Sequence, residues 1–183
     1  MKLTGLTTIT AMLLGLIATA QAAPTSTCYV NDGFAVSVTT DPTEYNDVFS
    51  VKAKQSAEEI LPCPIAPDDA DLVFGQDDFG YHYEDLLANH LVLAESTGPV
   101  GNLVIIDLRS GKTVLNVSGL YEHTAEGGVH YWLRGAEGTP ETCDRYAELT
   151  GYGLGTGILD EMVLNLDTLV STATGITDCE GIS

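Results

Sequence analysis

Leu91-Val-Leu-Ala-Glu-Ser-Thr-Gly-Pro-Val-Gly-Asn-Leu-Val-Ile-Ile-Asp-Leu-Arg-Ser-Gly-Lys-Thr-Val-Leu-Asn-Val-Ser118 decides the fold, because it reads as three strands separated by two turns. Asn102 to Leu108 is short, rich in β-branched side chains and bounded at both ends, the signature of a buried strand. Gly98-Pro-Val-Gly101 turns into it and Arg109-Ser-Gly-Lys112 turns out of it. The flanking runs, Leu91 to Ser96 and Thr113 to Ser118, then pair with it as a three-stranded meander. The approach is ambiguous by itself, since Tyr83, Leu86, Leu87, His90, Leu91 and Ala94 also fit a helical stripe. A strand is preferred there because a hairpin partner follows.

Towards the N-terminus, Gly33 to Thr40 and Val48 to Lys54 alternate apolar and polar side chains across the connection Asp41 to Asp47, which predicts a second hairpin. Ser56 to Ile60 has room for one helical turn before Pro62 and Pro64. The polar stretch from Ala66 to Gly80 reads as loop with a short strand at Leu72 to Phe74. Towards the C-terminus, Val129 to Leu133 is a strand and Glu141 to Tyr152 holds a helical turn or a strand. Glycine at every second position from Gly151 to Gly157 fits a strand with one bare face or a flexible loop. Met162 to Leu166 and Leu169 to Thr177 form the last hairpin. The expected fold is all-β and mainly antiparallel, a disulfide-bonded β-sandwich or small barrel-like meander with at most one or two short helical turns.

Asn102 to Val114 resembles a blade hairpin of β-propeller repeat proteins over about a dozen residues, and Met162 to Val170 is a fainter echo of it. Two partial copies cannot close a ring of blades in a chain of 183 residues, so the resemblance implies a hairpin and no family.

The N-terminus has the order of an export signal: Met1-Lys2, the apolar run Met12 to Ala20, then Ala20-Gln21-Ala22 with small residues at alternate positions. Residues 1–22 are therefore expected to be a cleaved secretory signal peptide, and 23–183 a single acidic β-rich domain, secreted or periplasmic. Thr4, Thr7, Thr8, Thr10 and Thr19 make the segment too polar to anchor the chain, so no stable membrane span is expected after cleavage. Seven Lys and Arg face 26 Asp and Glu, a formal charge of -19. Nucleic acid, which needs a basic stripe to displace counterions, is excluded, and an anionic membrane surface would repel the chain for the same reason.

Cys28, Cys63, Cys143 and Cys179 form an even set in an exported chain and read as two disulfides with three connectivities open. The nearly matched gaps favour Cys28 with Cys63 and Cys143 with Cys179. Each bridge closes a loop of about 35 residues and restricts the unfolded chain by roughly 4 kcal/mol. No C-x-x-C pair or thiolate cluster for redox or zinc chemistry is present.

Asp68, Asp69, Asp71, Asp77 and Asp78 crowd one loop with the hard oxygen ligands that calcium takes, without the spacing of an EF-hand; a solvated acidic loop is the preferred account, and no cofactor other than calcium is suggested. His82, His90, His123 and His130 are the side chains that titrate near neutrality and so the candidates for a general base. No G-x-S-x-G elbow supplies a nucleophile. Tyr131 and Trp132 are candidate binding aromatics, with core packing the commoner role. Asn116-Val-Ser118 is an N-glycosylation sequon that matters only in a eukaryotic source. The expected function is an acidic, non-catalytic binding protein that captures or inhibits a basic extracytoplasmic protein or peptide by electrostatic steering. The alternatives are an exported hydrolase using carboxylates or a histidine, a calcium-stabilised structural module, and a surface whose acidity serves only solubility.

Overall fold

The computed structural model describes residues 22–44, 46–75, 80–96, 101–125 and 128–182. Residues 1–21 of the expected signal, Asp77, Asp78 and most of the Gly98–Gly101 turn lie outside these. Strands β1 (Thr25–Val30), β2 (Phe34–Thr40), β3 (Asp47–Ala53) and β4 (Leu72–Phe74) make one antiparallel sheet in sequence order. Strands β5 (Tyr81–Leu87), β6 (His90–Glu95), β7 (Asn102–Asp107), β8 (Lys112–Ala125), β9 (Gly128–Glu137), β10 (Gly155–Asn165) and β11 (Val170–Ile182) make a seven-stranded meander. A 3-10 turn at Pro67–Asp69 and one short helix, α1 (Tyr146–Gly151), complete the regular elements among the described residues.

The long apolar runs of β6 and β7 exist because both of their faces are buried. Leu91, Leu93, Val104 and Ile106 point one way, into a core shared with Phe34, Val36, Val38, Phe49 and Val51 of the four-stranded sheet. Val92, Leu103 and Ile105 point the other way, into a second core with Val129, Tyr131 and Leu164 of β9 and β10. The pairing Leu91↔Ile106, Val92↔Ile105 and Leu93↔Val104 keeps the two sets on opposite faces. The β5–β8 half of the meander is therefore a middle layer, with the four-stranded sheet on one side and the β8–β11 half on the other. Tyr29 of β1 and Tyr83 of β5 stack at 3.5 Å across the first interface.

One long strand, β8, makes this layering possible. Its first half pairs with β7 up to Asn102↔Ser118, and its second half pairs with β9 from Gly119↔Leu133 onward. The change falls at Gly119, where a Cβ would collide with the Trp132 carbonyl oxygen, so the strand can fold over only at a residue without a side chain.

Both disulfides are formed as the spacing favoured, Cys28 with Cys63 and Cys143 with Cys179. Cys28, Ser37, Ser50 and Val73 lie in one cross-strand row on the face of the first sheet that points away from its core. Ser37 and Ser50 are nevertheless buried, as is Ile65 just after Cys63. The Cys28–Cys63 bridge thus ties the 54–71 connection, with its buried Ile65, to this outer face. Cys143, Cys179 and Leu149 of α1 form a small separate cluster that holds the helix against the end of β10 and β11.

The two similar hairpins share one turn chemistry. Gly111 N–H donates to Asp107 O and Leu169 N–H to Asn165 O, each at 2.8 Å, with Gly111 and Leu169 both left-handed. The Asp107 carboxylate accepts from Arg109 N–H and the Ser110 hydroxyl, while Asn165 Oδ1 accepts from Asp167 N–H and from the backbone and hydroxyl of Thr168.

The structure also departs from expectation. Strands β1 and β5 were not expected, and Ser56 to Ile60 forms a turn and no helix. In β5 a bulge between Tyr83 and Asp85 moves the inward face from Tyr81 and Tyr83 to Leu86, which is why a strand there mimics a helical stripe. The glycine-alternating run divides into a loop and the start of β10, with exposed Tyr152 in the first part and buried Thr156 in the second.

Candidate functional site

Most of the few cations are committed to holding the fold. Lys52 donates to the Asp69 carbonyl and lies 3.8 Å from the Asp71 carboxylate. Lys54 donates to the carbonyls of Asn31 and Ala57. Arg134 pairs with Glu180, both side chains largely buried, and Arg145 donates to the Cys179 carbonyl beside Asp178. Among the described residues, Arg109 and Lys112 alone of the lysines and arginines have neither a carboxylate within 4.0 Å nor a side-chain hydrogen bond. Most of the carboxylates are therefore left without a cationic partner among the described residues.

One concavity carries that charge. Pro24, Thr39, Asp41, Glu44, Asn46, Val48 and Gly75 line a cavity of 280 Å³ at one end of the first sheet. The Asp41 carboxylate accepts from the Thr43 hydroxyl at 2.6 Å and the Thr43 N–H at 2.8 Å, which hold it below the usual aspartate range and keep it ionised. Neither Asp41 nor Glu44 is paired with a cation among the described residues.

A second constellation lies on the outer face of the β8–β11 layer. His123 falls opposite His130 in unbroken register from Ala125↔Gly128, just ahead of a bulge between Tyr121 and His123, and the two rings stack at 4.5 Å. Glu161 of β10, only 8% exposed, accepts the Thr174 hydroxyl at 2.6 Å and faces His130 Nδ1 at 3.1 Å. These two hydrogen bonds, Thr174 first, hold the Glu161 carboxyl below its ordinary range. The Glu161 carboxylate thus holds the His130 ring by its Nδ1 edge, the arrangement by which a carboxylate orients an imidazole. Trp132 stands on the same face, in register with Leu120 and Glu161. Among the described residues no three His, Cys, Asp or Glu side chains are grouped to hold a metal. The signal for this cluster lies in the spacing: once Ala125 pairs with Gly128, counting two residues along each strand sets 123 opposite 130. Glu161 and Thr174 could not be found that way, since they arrive from a separate hairpin.

The remaining candidates are dispersed. Asp68 and Asp69 belong to the 3-10 turn, and Asp71 accepts the Ala53 N–H at 2.8 Å beside Lys52; Asp77 and Asp78 are outside the described residues. Tyr131 is buried and donates its hydroxyl to Ser171 at 2.9 Å, so it is a core residue, whereas neighbouring Trp132 is half-buried on the opposite face. His82 meets the buried Asp47 carboxylate at 3.5 Å and links β5 to β3. His90 is buried with its Nδ1 unpartnered, and burial lowers its pKa.

Fold and site together define a disulfide-tied, acidic, antiparallel β protein of three layers. No protein-family model, curated protein or solved structure matches the chain. The two disulfides are compatible with an oxidising compartment, and no described helix is long and apolar enough to cross a membrane.

Proposed function

We propose that the protein is an exported, non-catalytic binding protein, secreted or periplasmic, that captures a basic extracytoplasmic protein or peptide. The observation that carries this reading is the commitment of Lys52, Lys54, Arg134 and Arg145 to internal partners, which leaves carboxylates such as Asp41 and Glu44 without cations of the chain's own. An outward field of one sign raises the encounter rate with a basic partner, and a concave acidic site offers it a place to seat a lysine or arginine. The test compares two neutralised variants in binding a lysine-rich peptide at several salt concentrations. D41N/E44Q in the cavity is expected to weaken binding severalfold more than D144N/E148Q near α1. Equal effects would make the acidity a solubility feature and end the proposal.

A second reading, an exported hydrolase, is supported by the Glu161–His130 pair, where a buried carboxylate orients a histidine, the side-chain type of a general base. H130Q would then abolish any turnover that the wild-type chain displays. Turnover unaffected by that change sinks it.

A further inference from the structure

The core between the first sheet and the middle layer is open at one end. Phe34 at the start of β2, Val51 and Ala53 at the end of β3, Asp71 and Leu72 at the start of β4, and Leu108 and Arg109 after β7 surround a cavity of 380 Å³ there. Its walls are the ends of the same side chains that fill the core, Phe34, Val51, Leu72 and Leu108, so it is an apolar recess. Its volume falls in the range of small-molecule sites, and such sites commonly pair an apolar wall with one or two polar groups that fix orientation.

The two charged groups at the rim differ in what they can still bind. Asp71 is spoken for by the Ala53 N–H and by Lys52. The Arg109 guanidinium has no hydrogen bond and no carboxylate within 4.0 Å among the described residues. Its nearest acidic neighbour in sequence, Asp107, already uses its oxygens on the Arg109 backbone N–H and the Ser110 hydroxyl. Lys112 ends the same turn. In a chain of net charge -19, the two lysines and arginines among the described residues with no side-chain hydrogen bond and no carboxylate within 4.0 Å therefore sit on the one turn that borders the apolar recess. The turn is also fixed against the recess: Gly111, left-handed at φ 67°, lies so near Leu72 that a Cβ would come within 3.2 Å of its side chain.

We propose that this recess binds a small amphiphile with an apolar body and a single carboxylate, the body lying on Leu72, Ala53 and the accessible edge of Phe34 over the buried Val51 and Leu108, and the carboxylate meeting the Arg109 guanidinium. A bidentate guanidinium–carboxylate pair is the strongest charge-assisted contact available there. The surrounding negative field refuses polyanions while one local cation accepts a monoanion. The site is independent of the acidic cavity and of the binding role given above.

The probe is octanoate, titrated into the full chain by backbone amide NMR, with octan-1-ol and octylammonium as comparisons. Saturable one-to-one shifts confined to Phe34, Ala53, Leu72, Leu108 and Arg109 are expected with octanoate. R109Q, on an exposed turn, should weaken octanoate roughly tenfold or more and leave octanol unchanged. A53L, which fills the recess and spares Arg109, should abolish both. Shifts scattered over the surface, octylammonium binding as well as octanoate, or octanoate binding untouched by R109Q would each overturn the proposal.

Discussion

Replacing Ile105 by alanine, beside a matched replacement of Val104, tests the layered arrangement directly. The two residues are adjacent on β7 and both wholly inaccessible, yet they point into different cores. In a sheet with one wet face, one of two such neighbours would face solvent, and its truncation would fall within about 0.5 kcal/mol of neutral. Here each removes buried methyl and methylene groups. I105A is expected to cost about 2–5 kcal/mol, and V104A somewhat less because fewer carbons are removed. For a domain of this size that is a drop of roughly 4–20 °C in melting temperature for I105A. The assay is urea unfolding followed by circular dichroism, with unchanged m-values showing that the transition stays comparable. A cost below about 0.5 kcal/mol for I105A, with V104A strongly destabilising, would mean that the β8–β11 half does not pack on the middle layer.

Three further outcomes follow from the same geometry. G119A should destabilise by about 1–3 kcal/mol in thermal unfolding, because the new methyl meets a backbone carbonyl that cannot step aside; a neutral effect would place the fold-over of β8 elsewhere. Burial holds the His90 pKa below its ordinary 6.5, so the unfolded chain takes up a proton there before the folded chain does. Its share of stability is complete above pH 6.5 and is lost as pH falls through the lower folded value, so H90L should flatten the stability curve below pH 6.5 and leave the alkaline side unchanged; an unaltered acid slope refutes this. Converting Cys28 and Cys63 to alanine should cost up to about 4 kcal/mol and speed amide exchange at Ser37 and Ser50, whereas exchange unchanged at those positions would show that the 54–71 connection stays in place without its tether.

The strands easiest to read were those with a compact apolar run bounded by turn residues. The hairpins β2–β3 and β6–β7 and the strand β4 were visible as apolar runs between turn residues, and β4 was located to the residue at both ends. Harder cases had identifiable causes. The bulge in β5 broke its alternation, and β1 carries mostly exposed polar residues because it is an edge strand. β8, β10 and β11 run well past their apolar segments, since the extra residues pair through backbone hydrogen bonds to which the side-chain pattern is blind.

By itself the amino-acid sequence determined the fold class, the disulfide pairing its spacing favoured and the sign of the surface field, because these depend on composition and on contacts within or between adjacent strands. Only the tertiary structure decided that β6 and β7 form a middle layer, that His130 is oriented by Glu161, and that Arg109 lines an apolar recess. Each joins residues from separate hairpins, and how the β8–β11 half lies on the middle layer depends on the fold-over at Gly119, far in sequence from most of the residues it brings together.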